Sequence, residues 1–354
     1  MNKSKINIIS IIIPHYNNLE DLKNCLLSIY KQKISNSLFE VIIIDDFSEK
    51  NPQFILSKFL NSYNNYFFIR LKKNSGPGIA RNYGIKKAKG DFILFLDSDD
   101  VLTNNSLKIL INLISKGYET ITFNYSYSNK KKSKIKKERK DQNLLNLSKN
   151  LFIKKFIGMN YNNSVIFTLC KKSIFTNYNI AFPKGFHEDI PVIFQIYYYS
   201  KYIYFEDDVL YLKKNRDDSI VNTYSRKKIK DYFHSWTITK DIIIKLKGIE
   251  YYNKNILKSY VSGIFGLLAI VIKQNIAFNQ NSKSRRLKFY IYVCKIFKEK
   301  YIKDLNKTKL PKKTIYDNIS FNFINNFYYK DQNLKNMTLF EKILYKKYFI
   351  KHQC

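Results

Sequence analysis

The sequence predicts an α/β fold, a mostly parallel sheet with helices on both faces, followed by a mainly helical C-terminal region. Three observations predict it. Up to about residue 127, short apolar runs of strand length alternate with segments whose apolar residues recur at helical spacing. The runs at 41–44 and 92–96 are continuously apolar, as strands buried on both faces are, and each ends abruptly in carboxylates. Beyond about residue 227 the alternation stops and the chain reads as Lys- and Tyr-rich helix. In an open α/β sheet, ligands bind outside the carboxyl ends of the strands, so the acids mark a cleft.

Residues 8–13 form the first expected strand. Pro14, His15 and Asn17 end this run too soon for a secretory leader, and no small-residue cleavage site follows. Leu19, Leu22, Leu26 and Ile29 then recur at helical spacing, with Asn17 or Asn18 as the cap and Glu20 and Asp21 in the first turn. The second strand, 41–44, ends in Asp45 and Asp46. A helix over 54–60 and a strand over 66–71 follow, then a Gly-Pro-Gly loop at 76–78 and a helix through 80–87. The fourth strand, 92–96, runs into Asp97, Asp99 and Asp100 with only Ser98 between them. A helix over 107–114 and a strand over 120–125 complete the alternation.

The run 130–140 is basic with Glu138 as its single acid, a pattern of solvated loop. After mixed apolar character to residue 170 comes His187-Glu-Asp-Ile-Pro191, with Ile190, Ile193, Phe194 and Tyr197 at helical spacing. Pro191 suits a first helical turn, which places Glu188 and Asp189 at the helix N-terminus. Two short strands, 202–205 and 209–212, lead into a segment carrying Arg216 and Ser219. The expected domains are 1–225, with halves at about 1–127 and 150–225, and a basic helical region at 226–354.

Composition narrows the classes. With 45% hydrophobic and 16% aromatic residues, the chain has the material for a large core and is not generally disordered. Its 62 Lys+Arg against 28 Asp+Glu give a net charge of +34, which suits a nucleic acid or an anionic membrane surface. The wealth of Lys, Asn, Ile, Tyr and Phe beside only 10 Gly and 6 Pro is also what an A+T codon bias produces, so charge alone decides nothing. Cys25, Cys170, Cys294 and Cys354 show no paired spacing, hence no zinc set or disulfide framework, and a reducing cytoplasm is expected. The longest apolar segment, 261–272, falls short of the roughly 20 residues that span a bilayer. The expectation is a cytoplasmic protein, or one resting on the inner face of the membrane. The phosphate-loop pattern is absent, and no Gly-x-Gly-x-x-Gly follows the first strand.

Three like charges at the mouth of a buried strand repel each other and make poor structural glue. They make sense around a divalent cation; hard oxygen ligands suit Mg²⁺ or Mn²⁺, which commonly share their shell with nucleotide phosphates. The competing reading of the same acids is a polar turn that caps the next helix at Asn104 or Asn105.

Four phrases, "SIIIPHYNN", "VIIIDDFS", "NSGPGIARNYGI" and "GDFILFLDSDD", stand in one order and spacing. Together they resemble the family 2 glycosyltransferases of the GT-A fold, over residues 6–125 and, through His187-Glu-Asp189, to about 220. The resemblance implies that Pro14, Tyr16 and Asp46 line the pocket of the nucleotide base, with Asp45 beside them. It implies that Arg81 approaches the diphosphate or fixes the acid cluster, that Asp97 holds sugar or ribose hydroxyls, and that Asp99 ligates the metal, with Asp100 as its neighbour. Asp189, or else Glu188, would be the general base, its ionised form favoured by the helix N-terminus. His187 and Arg216 would face phosphate or acceptor. Phe47 departs from the pattern, because relatives often carry Gly there, which opens a question about the turn after Asp46.

The implied activity is inverting, metal-dependent transfer from a nucleotide sugar, UDP favoured, to a glycan or lipid-linked acceptor of surface-polysaccharide synthesis, with no nucleic-acid partner. A sugar-phosphate nucleotidyltransferase is the near rival, but Pro14-His-Tyr16 stands where its Gly-rich signature belongs. A nucleic-acid-binding protein would explain the charge but not acids at strand ends. A silent scaffold would keep the fold alone. Each residue also has a plainer reading: Tyr16 as packed aromatic surface, Asp45-Asp46 as a turn, Arg81 as a surface cation, Asp189 as a helix cap, His187 and Trp236 as structural.

Overall fold

A computed structural model describes residues 9–127, 148–157, 164–214 and 226–256. The basic run at 130–140, the segment with Arg216 and Ser219, the apolar stretch 261–272, Cys294 and Cys354 lie outside them. The chain divides into two compact units, 1–152 with 162–242, and 153–161 with 243–354. The described residues of the second, 153–157 and 243–256, are mostly helical.

The first unit is built on one mixed sheet. Strands β1 (Ile9–His15), β2 (Phe39–Asp45), β3 (Tyr66–Arg70) and β4 (Phe92–Phe95) pair in parallel in the order β3-β2-β1-β4. All residues of β1, β2 and β4 are buried, as their mostly Ile, Val, Leu and Phe content suits inner strands, and the polar Ser10 and Glu40 are buried with them as hydrogen-bond partners. Beyond β4 the direction changes. Strands β5 (Val101–Leu102), β6 (Thr120–Tyr127), β7 (Thr168–Lys171) and β8 (Ile203–Lys213) extend the sheet as β4-β7-β6-β8-β5. Here β7 runs antiparallel to both β4 and β6, β8 is parallel to β6, and β5 antiparallel to β8. The parallel half thus matches the sequence pattern, and the mixed half does not follow from it. The two short strands expected at 202–205 and 209–212 are one strand, bent by register shifts opposite Phe123, Asn124 and Tyr125.

Helices α1 (Leu19–Tyr30), α2 (Gln53–Phe59), α3 (Pro77–Lys87), α4 (Ser106–Ser115), α5 (Lys149–Ile157), α6 (Lys172–Asn177), α7 (Asp189–Tyr199) and α8 (Arg226–Lys247) connect or follow the strands. Asn18 caps α1, its side chain accepting from the Asp21 amide at 3.3 Å. Leu22, Cys25, Leu26 and Ile29 turn inward. Asn105 stands at the N-terminus of α4 but makes no side-chain cap, so the plainer reading of the acids as a cap for that helix loses its anchor.

Two close contacts fix the strand ends that matter. Buried Glu40 on β2 accepts from Ser10 Oγ (2.6 Å) on β1 and from the amides of Lys89 (2.6 Å) and Gly90 (3.0 Å) just before β4. One carboxylate therefore ties three chain segments. Helix α3 lies so close to β1 that a Cβ on Gly84 would stand 2.3 Å from Ile12 Cγ2. Gly84→Ala should therefore overpack the helix–sheet contact and cost about 1–3 kcal/mol. Urea unfolding checks this, with a lower midpoint at an unchanged slope as the expected result.

Candidate active site

The end of β4 turns sharply, Asp100 N–H donating to Asp97 C=O at 3.0 Å. Tyr211, wholly buried on β8, holds that turn from beneath. Its hydroxyl donates to Asp100 Oδ2 at 2.6 Å and accepts from the Asp97 amide at 3.3 Å. Asp100 Oδ1 accepts from the Lys214 amide at 2.7 Å, while Lys214 Nζ reaches Asp21 Oδ1 on α1 at 2.5 Å. Asp97, Asp99 and Asp100 offer carboxylate oxygens that all lie within 4.8 Å of one another. Burial, then repulsion from Asp97, pushes Asp99 up to about 6. Burial, then Asp97 and Asp99, pushes Asp100 up to about 7. Converging hard oxygens that resist carrying their charges together fit a divalent cation. Asp100 already has both oxygens engaged by protein donors, so Asp97 and Asp99 fit the role of ligands best and Asp100 that of their support.

The opposite wall comes from α3 and α7. Arg81, only 5% exposed, donates Nη2 to Asp97 Oδ1 and Nη1 to Glu188 Oε1, each at 2.7 Å. Burial opposes its charge, but Asp97, Glu188 and Asp189 more than offset this. The Phe182 and Phe95 rings lie 5.6 and 6.0 Å from the guanidinium. Asn82, the next residue, exchanges two hydrogen bonds with the Phe182 backbone, both 2.9 Å. Gly78 belongs to the same grip: a Cβ there would stand 2.5 Å from Glu188 Cγ.

Glu188 precedes α7 and Asp189 opens it. Burial pushes Glu188 up to about 7 against the pull of Arg81. Burial likewise raises Asp189 above the ordinary carboxylate value, with Arg81 and a Ser164 hydrogen bond pulling the other way. Burial thus outweighs the charges and hydrogen bonds that favour the ionised form of Asp189. His187 adopts a left-handed backbone (φ 60°) and packs edge-on against Tyr232, ring centroids 4.6 Å apart.

At the ends of β1 and β2, buried Asp45 binds Arg70 Nη1 at 2.7 Å and the Ser48 hydroxyl. Buried Asp46 accepts from the Ser75 (2.8 Å) and Gly76 (2.7 Å) amides, joining the strand end to the Gly-Pro-Gly loop. Pro14 is buried in β1, whereas Tyr16 is 47% exposed. Phe47 adopts φ 64°, the left-handed conformation that glycine takes without strain, and the Arg70 guanidinium lies 5.0 Å from its ring. The turn is thus kept despite the missing glycine. His15 is buried, which lowers it to about 4 and leaves it neutral. Trp236 is buried in α8, as the plainer reading has it.

The structure therefore brings Arg81, Asp97, Asp99, Asp100, Glu188 and Asp189 into one acidic cluster with a buried cation. Pro14, Tyr16, Asp45 and Asp46 stand together at the adjoining strand ends. The sequence reading gives Tyr211, Lys214, Asn82 and Gly78 no role of their own in the site, though it places Gly78 in the Gly-Pro-Gly loop and Asn82 beside Arg81 at the start of the helix that follows. Only Asn82 and Gly78 left a signal, since both fall inside a matched phrase.

Residues 10–180 match the family described as Glycosyl transferase family 2. A poly(ribitol-phosphate) beta-glucosyltransferase of Bacillus spizizenii is 38% identical over 115 residues, 32% of this chain and 18% of that protein. The match thus spans less than a fifth of that relative. Glycosyltransferase GlyG of Streptococcus pneumoniae is 25% identical over 313 residues, 82% of this chain and 96% of that one. The crystal structure of Staphylococcus aureus TarS 1–349 in complex with UDP-GlcNAc superposes with a TM-score of 0.55 at 17% identity, covering 82% of this chain and 92% of that one. The fold is the GT-A fold.

Tyr211→Phe removes the donor to Asp100 and the acceptor for the Asp97 amide, so it should cost about 1–3 kcal/mol of stability. It should also weaken Mn²⁺ binding about 10- to 100-fold. Calorimetric titration with Mn²⁺ beside urea unfolding measures both.

Proposed function

Because residues 10–180 carry a family 2 glycosyltransferase domain, we propose that the chain moves a sugar from a nucleotide donor to a hydroxyl of a surface glycan. The observation that carries this reading is the buried Arg81, which joins Asp97 at the end of β4 to Glu188 at the start of α7. One cation thereby sets donor-side acids and a carboxylate base in a single frame. A UDP-sugar is the favoured donor, supported by the likeness to TarS, whose structure holds UDP-GlcNAc. The net charge of +34 favours a phosphate-bearing acceptor, in keeping with the poly(ribitol-phosphate) named for the Bacillus relative.

Asp97 and Asp99 would hold Mn²⁺ or Mg²⁺, which when bound supplies Lewis-acid neutralisation of the leaving diphosphate. The remaining chemistry belongs to side chains. Glu188 has an oxygen committed to Arg81, which leaves Asp189 as the base that takes the acceptor proton while the oxygen attacks the anomeric carbon. The nucleoside diphosphate departs from the opposite face, and one displacement inverts the anomeric centre. Tyr16 offers an open ring for the base, with Pro14 and Asp46 behind it. Residues 1–225 form the catalytic domain in this reading, and the Lys- and Tyr-rich region 226–354 serves the acceptor side or an anionic inner-membrane surface. Among the described residues, no helix is long and apolar enough to cross a membrane.

The test is nucleotide release from UDP-, GDP- and dTDP-sugars, with Mn²⁺ and then EDTA. Metal-dependent release from a UDP-sugar is expected. Silence across the panel, with no metal-dependent nucleotide binding by calorimetry, would remove the reading. Asp189→Asn should lower kcat about 10²- to 10⁴-fold. UDP affinity should be unchanged. The wild-type rate should fall with acid as Asp189 protonates from its raised pKa, and this limb should vanish from the residual rate of the variant.

A further inference from the structure

We propose that Asp231 on α8 is a positioning residue, anchoring the loop that presents Glu188 and Asp189. This rests on the reading of Asp189 as the base. The loop is held at two places. Helix α3 grips its start through Asn82 on Phe182, and its end through Arg81 and the close approach of Gly78 to Glu188. Between these points, residues 185–187 depend on α8.

Asp231 Oδ2 accepts the Phe186 amide at 3.1 Å and Lys227 Nζ at 2.8 Å. The Lys227 ammonium sits 4.6 Å from the Phe186 ring centroid, and Ser235 Oγ donates to the Phe186 carbonyl at 3.5 Å. Lys227, Asp231 and Ser235 are spaced four residues apart, so one stripe of α8 makes all these contacts. Tyr232, the next residue, packs against the His187 ring.

The loop needs such support because its backbone is unusual. Gly185 has φ 122°, open to glycine, and His187 φ 60°, a left-handed backbone that residues other than glycine adopt uncommonly and at some cost. A Cβ on Gly185 would stand 3.0 Å from Asp231 Oδ2, so the carboxylate fills the space that glycine leaves. Strained backbone persists only where its surroundings over-determine it. Released from Asp231, the loop would relax, and Glu188 and Asp189 are the residues next along it. A displacement of about 1 Å at a catalytic group can cost 10²-fold in rate.

Hydrogen exchange of a peptide spanning 182–190 and steady-state kinetics decide the matter, with Asp231→Ala, Asp231→Asn and Asp189→Asn compared in the full chain. Asp231→Ala should speed exchange of this peptide and lower kcat about 10- to 100-fold. Its UDP affinity should stay within about twofold, since the donor-side acids are held elsewhere. Asp231→Asn keeps an oxygen for the Phe186 amide and should restore most of both. Unchanged exchange and unchanged kcat in Asp231→Ala would overturn the proposal, as would a parallel loss of UDP affinity, which marks general collapse. Faster exchange with unchanged kcat would support the anchor and overturn the role of the loop in catalysis. Full activity in Asp189→Asn would overturn the reading of the base alone.

Discussion

The buried guanidinium of Arg81 is the interaction on which the rest of the site depends. It sits among acids that sequence places far apart, and both its terminal nitrogens are committed to them at 2.7 Å. Removing one partner from a buried pair costs about 3–5 kcal/mol, because the other charge is left without compensation. An exposed pair such as Lys23–Glu20, at 3.7 Å, contributes less than about 1 kcal/mol. Arg81 is thus a constraint on geometry more than an ornament of the surface. Its planar fork addresses two carboxylates at once, a task the single ammonium of lysine performs poorly.

Around that cation the acids divide by their partners. Asp45 and Asp46 spend their oxygens on Arg70, Ser48 and the loop amides, and so shape the strand ends. Asp100 spends its own on Tyr211 and the Lys214 amide. Burial raises Asp99, Asp100, Glu188 and Asp189 alike above the ordinary carboxylate range.

The parallel half of the fold was legible because its inner strands β1, β2 and β4 are buried on both faces and α1 keeps an apolar stripe. The mixed half was not: β5 is two residues long, and β7 lies in a stretch without period. The acid cluster was legible because repelling charges at a strand end demand an explanation. Tyr211 was hidden for the opposite reason, since a tyrosine among tyrosines in a strand looks like core until its hydroxyl is seen to meet Asp100. Phe47 shows the limit of reasoning from type, as an unfavourable residue holds the left-handed turn that glycine would hold more cheaply. Asp231 lies some forty residues from the loop it touches, and no local pattern announces it.

The link from Tyr211 to the acid turn also sets an order of assembly. A chain emerging from the ribosome has β1 to β4 available once residue 95 is out, and β1, β2 and β4 can already pair around Glu40. β4 still lacks its second neighbour until residue 171 follows, and the turn at 97–100 lacks its support until Tyr211 and Lys214 appear. More than a hundred residues of synthesis thus separate the acids from the groups that hold them still. During that interval the nascent chain carries the charges of the site without its geometry, so competence arrives only with the strand that completes the sheet.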